Sequence, residues 1–190
     1  MKKIVLIGGP CAGKTTMLPI LEEYYTERGY NVIIVPEAAT EVFKEGGSNV
    51  GDAFGFQRQI IEKQLRLETE AIAKATDNTI IFFDRGVLDG KAYLQECEWK
   101  QLEEAFELNP LDRYDGVVHL TSVAVDRPEL YNRYCRNNKH RKERIEASRK
   151  LDSKTLSAWK EVFDVKVIGN SGDWNKKVSA VTDAIDSLLY

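Results

Sequence analysis

Gly8-Gly9-Pro10-Cys11-Ala12-Gly13-Lys14-Thr15 is the stretch on which the reading of this chain turns. A short apolar run, Ile4-Val5-Leu6-Ile7, precedes it. Met17, Leu18, Ile20, Leu21 and Tyr24 follow it at near-helical spacing, up to Gly29. Strand, glycine-rich turn and helix in that order fill every position of G-x-x-x-x-G-K-[ST], in the context that gives the motif its meaning. The glycines let backbone N–H groups turn inward around phosphate oxygens, and the helix N-terminus adds partial positive charge. In such a loop Lys14 bridges the β- and γ-phosphates of a nucleoside triphosphate and the Thr15 hydroxyl ligates Mg²⁺. The nucleotide-binding set is Gly8, Gly9, Pro10, Cys11, Ala12, Gly13, Lys14, Thr15 and Thr16. Cys11 reads as a small filler rather than a nucleophile.

Outward from the loop, short Val/Ile-rich runs recur at 31–35, 79–83, 116–120 and 165–168. Each is bounded by polar or turn residues, as expected of strands buried on both faces of a parallel sheet. Amphipathic stretches lie between them. The spacing predicts helices over 14–28, 52–75, about 89–108 and 174–189, the last with Asp173 as N-cap. Strands alternating with helices define an α/β fold with a parallel sheet.

The bulk numbers are consistent with this. The chain has 190 residues, 43% hydrophobic and 30% charged, with net charge −3. That suits one domain over 1–190 and gives no general pull toward nucleic acid or anionic membrane. Three cysteines without C-x-x-C spacing argue against a disulfide scaffold or a zinc site and fit a reducing compartment. The first apolar run is too short for a signal peptide, and no stretch approaches a membrane span. The expected location is the cytoplasm.

Ile80-Ile81-Phe82-Phe83-Asp84-Arg85-Gly86 is an apolar strand ending in an acid, the form of a Walker-B-type site. The carboxyl end of a neighbouring parallel strand opens onto the same crevice as the phosphate loop. Asp84 can reach Mg²⁺ there, directly or through water, and Arg85 can point at a substrate or a transferring phosphate. Glu37 follows the second strand in Val35-Pro36-Glu37. It can accept the proton of an acceptor hydroxyl or bind the acceptor's sugar.

Residues 127–150 carry nine Lys/Arg against three Glu, a local +6 in a chain of net −3. A basic helical segment here, about 126–150, reads as a lid whose arginines close over a triphosphate. The candidates are Arg133, Arg136, Arg141 and Arg144. A basic patch can also meet nucleic acid or acidic lipid, although only Tyr131 and Tyr134 are interleaved with it.

Together, GGPCAGKTT, VPEAATE, the helical Gln57, FFDRGVLDGKAY and RNNKHRKERIEASRKLD resemble one family. It is the small P-loop AAA-type group related to the ribosylnicotinamide kinase domain and, more distantly, to thymidylate and deoxynucleoside kinases. The resemblance spans nearly the whole chain, and Asp84–Tyr93 is its most specific part. It implies a P-loop NTPase three-layer sandwich with strand order 2-3-1-4-5, helices on both faces and a basic lid. It implies catalytic roles for Lys14, Glu37, Asp84, Arg85, Arg133 and Arg136, with Thr15 and Asp84 at the metal. Glu37, Gln57, Arg85 and Asp89 would face the acceptor, or Asp89 would merely cap the helix after it. Asn170 and Ser171 fall where such kinases wrap the nucleotide base.

The expected activity is Mg²⁺- and ATP-dependent phosphoryl transfer to a small hydroxyl acceptor. Arg58 and Arg66 lie in no recognisable nucleotide-acceptor motif, so nucleoside and nucleotide both stand. The guanine motif N-K-x-D is absent, which prefers ATP over GTP. The alternatives are a nucleotide-dependent switch that binds acidic lipid or a protein, and a kinase acting on nucleic acid.

Overall fold

The computed structural model describes residues 1–47, 52–135 and 145–189, and the side chains of 132–135 are outside the description. In chain order the elements are β1 (Lys2–Ile7), α1 (Lys14–Thr26), β2 (Asn31–Val35), α2 (Ala38–Lys44), α3 (Ala53–Lys74) and β3 (Thr79–Asp84). A 3₁₀ turn (Val87–Ala92) follows, then α4 (Glu96–Ala105), α5 (Pro110–Arg113), β4 (Gly116–Leu120), α6 (Val123–Asp126) and α7 (Pro128–Cys135). The last elements are α8 (Ile145–Lys160), β5 (Lys166–Ile168) and α9 (Trp174–Leu189).

The five strands form one parallel sheet in the order β2-β3-β1-β4-β5, the P-loop NTPase order. Alternate residues of each strand face opposite layers. Val5, Ile7, Ile81 and Phe83 pack with Ile61 of α3, Trp99 and Leu102 of α4 and Trp159 of α8. Ile4, Leu6, Ile80 and Phe82 pack with Met17, Leu21 and Tyr25 of α1 and with Val181 and Ile185 of α9. Helices on both faces explain why the central strands are continuous apolar runs. Among the described residues no helix is long and apolar enough to cross a membrane.

The register levels the functional strand ends. Leu6 pairs with Asp84 across β1 and β3, and with Val118 across β1 and β4. Asp84 therefore ends its strand beside the start of the phosphate loop.

Two expectations are corrected. The helix anticipated over 89–108 is a 3₁₀ turn and a separate α4. The Glu98 carboxylate accepts from the Gln95 backbone N–H at 2.9 Å and opens α4 afresh. Asp89 is inside the 3₁₀ turn, its carboxylate committed to tertiary partners, so it caps no following helix. The short α2 was not anticipated. Its seven residues are too few for a periodic signal.

Candidate nucleotide site and acceptor cavity

The phosphate loop connects β1 to α1 through backbone angles that only some residues tolerate. Gly8 has φ 143°, and a Cβ there would lie 2.2 Å from the Leu120 carbonyl oxygen. Gly13 has φ 91° and stands at the N-cap of α1. No side chain caps that helix, so its first N–H groups stay open toward an anion.

Lys14 is buried, and its Nζ donates to the Gly8 carbonyl at 2.8 Å. Burial, helped by the Arg85 charge, lowers its pKa to about 8 against the opposing pull of Asp84, Glu37 and Asp89. Thr15 and Thr16 are exposed. Cys11 takes φ 59°.

Side chains outside the motif hold the loop. Asp152 of α8 accepts from the Gly9 N–H at 2.7 Å and from the Ser122 N–H at 3.1 Å. The Ser122 hydroxyl donates to the Pro10 carbonyl. Lys177 of α9 donates to the Ala12 carbonyl at 2.9 Å. Ser122 and Lys177 belong to no motif, and Asp152 closes the basic stretch RNNKHRKERIEASRKLD, where nothing marked it as a support of the loop. Each is a polar side chain turned into the core by its helix or strand end, and sequence alone gave no sign of it.

At the end of β3, Asp84 is 7% exposed and its Oδ1 has no hydrogen-bond partner. Burial raises its pKa despite the nearby Lys14 and Arg85 charges. Arg85, next in the chain, has φ 73°. Its N–H donates to the Leu6 carbonyl at 3.1 Å, and its own carbonyl accepts from Gln64 at 3.4 Å. That unusual backbone aims the guanidinium between two acids. Nε donates to Glu37 Oε1 and a terminal nitrogen to Asp89 Oδ2, both at 2.7 Å. Trp159 of α8 donates its indole N–H to Asp89 Oδ1 at 2.7 Å. Thr40 donates to Glu37 Oε2 at 2.7 Å. Burial pushes Glu37 up, but Arg85, Lys14 and these hydrogen bonds outweigh it and hold the carboxyl at about 2.

This clamp forms one wall of a cavity of about 1090 Å³ at the carboxyl ends of β1, β2 and β3. Pro10 and Thr15 bring the phosphate loop to its edge, and Glu37, Arg85, Asp89 and Gln57 line it. Phe43 and Phe56 stack at 4.9 Å along its wall. Gln57 is buried in that wall.

Against the parallel sheet, the phosphate cradle and the strand-end acid, a family model described as AAA domain matches residues 3–177. The chain belongs to this AAA domain family. No curated protein matches it. The AAA domain identifies a P-loop protein that binds or hydrolyses nucleotide, as expected from the loop.

The donors of this AAA domain fit Mg²⁺. The orphaned oxygen of Asp84 and the exposed hydroxyl of Thr15 are hard oxygen ligands beside the loop. The described residues hold no group of three or more acids, histidines or cysteines able to bind a metal alone. Mg²⁺ needs none, because phosphate oxygens and water complete its shell.

Of the remaining sequence-based candidates, Asn170 and Ser171 do not line the cavity. Asn170 lies after β5, on the other flank of the sheet. Its amide donates to the Thr121 carbonyl at 2.8 Å and to Asp126 at 3.3 Å, and its Oδ1 accepts from Lys177 at 2.6 Å. Asn170 is thus a strut rather than a free reader of a base. Ser171 turns back to the Asp173 carbonyl at 3.3 Å. Arg133 is on α7, but its side chain is outside the described residues, as are Arg136, Arg141 and Arg144 altogether.

Proposed function

We propose that this protein transfers the γ-phosphoryl group of ATP to a hydroxyl of a small acceptor that carries no phosphate, such as a nucleoside. The observation that supports this best is the acceptor-sized cavity opening directly onto the phosphate loop, with Glu37, Arg85 and Asp89 in its wall. A protein that only hydrolyses nucleotide has no need of a built pocket beside the γ-position.

The charge of the cavity supports a phosphate-free acceptor. Its buried cation, Arg85, is already bonded to two carboxylates. Lys44, at the rim, is exposed and paired with Glu41 at 2.7 Å. Neither is left to take an acceptor phosphate. Counting Lys14 and Arg85 against Glu37, Asp84 and Asp89, the acids are in excess, which suits a neutral or cationic acceptor. A pyridine nucleoside, implied by the likeness to ribosylnicotinamide kinase domains, is one such molecule.

In this reading Lys14 leaves the Gly8 carbonyl and meets the β- and γ-phosphates, while the open N–H groups of α1 take up their charge. Mg²⁺, held through Thr15 and Asp84, would neutralise charge on the transferred group. Asp84, its pKa raised by burial, is suited to orient the acceptor hydroxyl and take its proton. Glu37, held at about 2, is a weak base and acts as a hydrogen-bond acceptor that fixes Arg85 and the acceptor's hydroxyls. Gln57 offers its amide to the acceptor ring.

The test is ATP consumption with Mg²⁺ across nucleosides, nucleoside monophosphates and pyridine nucleosides, with Lys14→Ala as control. Turnover stimulated by an unphosphorylated acceptor and lost in the variant supports the proposal. Stimulation by monophosphates alone refutes the acceptor class. Tight nucleotide binding with no acceptor-stimulated turnover across the panel refutes the kinase.

A further inference from the structure

We infer that the exposed ring of Trp174 is the stacking platform for the base of the donor nucleotide, and that it accepts adenine and guanine alike. This rests on the phosphate-loop reading and extends it to the other half of the nucleotide. The acceptor cavity occupies the β2–β3 side of the loop. In-line transfer puts the acceptor and the leaving diphosphate on opposite sides of the moving phosphorus. The nucleoside of the donor therefore leaves the loop on the β4–β5 side.

That side is built by the start of α9. The Trp174 ring lies against the loop itself, and a Cβ on Gly13 would meet its Cη2 and Cζ3 at 3.2 Å. Trp174 is 38% exposed, whereas Trp99 and Trp159 are 2% and 0% exposed. A large aromatic face left open beside a phosphate cradle is a surface on which a base stacks.

The platform is braced. Lys177, three residues on, joins the Ala12 carbonyl at 2.9 Å to Asn170 Oδ1 at 2.6 Å. The Asn170 backbone N–H donates to Asp126 at 2.8 Å. Ring and loop are held in one arrangement. The same bonds occupy the Asn170 amide, so it does not read the edge of a base. Stacking without such a reader tolerates either purine.

All three tryptophans emit, so Trp174→Phe, which keeps the buried Trp99 and Trp159, gives the background against which the Trp174 signal is read. The experiment titrates wild type, Trp174→Ala and Trp174→Phe with ATP, GTP and inorganic tripolyphosphate in the presence of Mg²⁺. Emission is followed in the wild type and in Trp174→Phe, the difference being the Trp174 signal, and calorimetry gives Kd for all three proteins. We expect ATP and GTP to quench equally and to bind within about threefold of each other. Trp174→Ala should weaken both about tenfold, leave tripolyphosphate unchanged, and be largely restored by Trp174→Phe. Equal weakening of all three ligands would make the ring a support for the loop and overturn the platform. Unchanged ATP affinity would overturn it too, and a strong preference for one purine would overturn the tolerance. Failure of the wild type to bind any of the three would instead refute the phosphate-loop reading beneath it.

Discussion

The backbone N–H of Gly9 donates to the carboxylate of Asp152 at 2.7 Å, across 143 residues of sequence. The same oxygen accepts from Ser122 and lies 3.4 Å from His119 Nε2. Seven residues further along α8, Trp159 holds Asp89 and through it Arg85. One helix thus positions both the phosphate loop and the Glu37–Arg85–Asp89 clamp.

Asp152→Ala should destabilise the chain by about 2 kcal/mol, because it leaves two buried N–H donors unpaired. Asp152→Asn, which keeps one acceptor oxygen, should cost less. Burial raises the Asp152 pKa, but His119 and the Gly9 and Ser122 N–H groups outweigh it and hold the carboxyl below its ordinary 3.8. Its contribution is therefore complete above pH 3.8 and is lost as pH falls through the lower folded-state value. Denaturant unfolding at neutral and acid pH should show wild type and Asp152→Ala converging on acidification. Parallel curves would contradict the assignment.

Asp84 behaves in the opposite sense. Its raised pKa and unpaired Oδ1 mean that the charged form is a cost to the ligand-free fold. That cost is relieved, not incurred, as pH falls through the raised folded-state value toward the ordinary 3.8. Asp84→Asn should leave the melting temperature equal to or above wild type while lowering Mg²⁺-dependent turnover by about a hundredfold or more. Thermal melts and nucleotide turnover on the same preparation decide it. A marked loss of stability would show Asp84 to be a structural residue.

Much of this architecture was legible in the sequence, for a physical reason. A parallel sheet buried on both faces needs unbroken apolar strands, so Ile80–Phe83 announced itself, and the acid after it had to stand at the sheet's carboxyl edge. The phosphate loop is a local device whose glycines, lysine and threonine are contiguous. Arg85, Glu37 and Asp89 were legible as candidates, but their mutual pairing was not. It depends on the left-handed backbone of Arg85 and on Trp159, supplied from 70 residues away. The loop-bracing roles of Asp152 and Lys177 were invisible, because a buried polar residue in an amphipathic helix looks like one on its solvent face. Asn170 was placed after β5, near a nucleotide base, but the engagement of its amide with Lys177, Thr121 and Asp126 was not legible.

Two buried lysines make the ligand-free protein unusually dependent on alkaline pH. Burial lowers both Lys14 and Lys177 to about 8 from 10.5. Between those values the unfolded chain holds protons that the folded chain has lost, so stability rises with pH across that window. Lys14→Met and Lys177→Met should each flatten the rise, and each should be at least as stable as wild type near pH 7. Melting temperature against pH measures this. A wild-type curve that falls between pH 8 and 10 would disprove it.

Arg85 carries the most consequential pairing. Its removal leaves Glu37 and Asp89, with side chains 20% and 8% exposed, facing each other without a cation. Breaking a buried pair from one side costs about 3–5 kcal/mol, most of it the penalty of the charges left behind. Arg85→Ala should therefore fall in that range, and Arg85→Lys should recover little, since one ammonium cannot reproduce two bonds from a planar fork. Adding Glu37→Gln to Arg85→Ala removes one stranded charge and should return part of the loss. The cycle Arg85→Ala, Glu37→Gln and the double variant, read by urea denaturation, should give a coupling of at least about 1 kcal/mol. Additive losses would mean that Arg85 and Glu37 do not depend on each other, and the clamp would be reduced to two adjacent side chains.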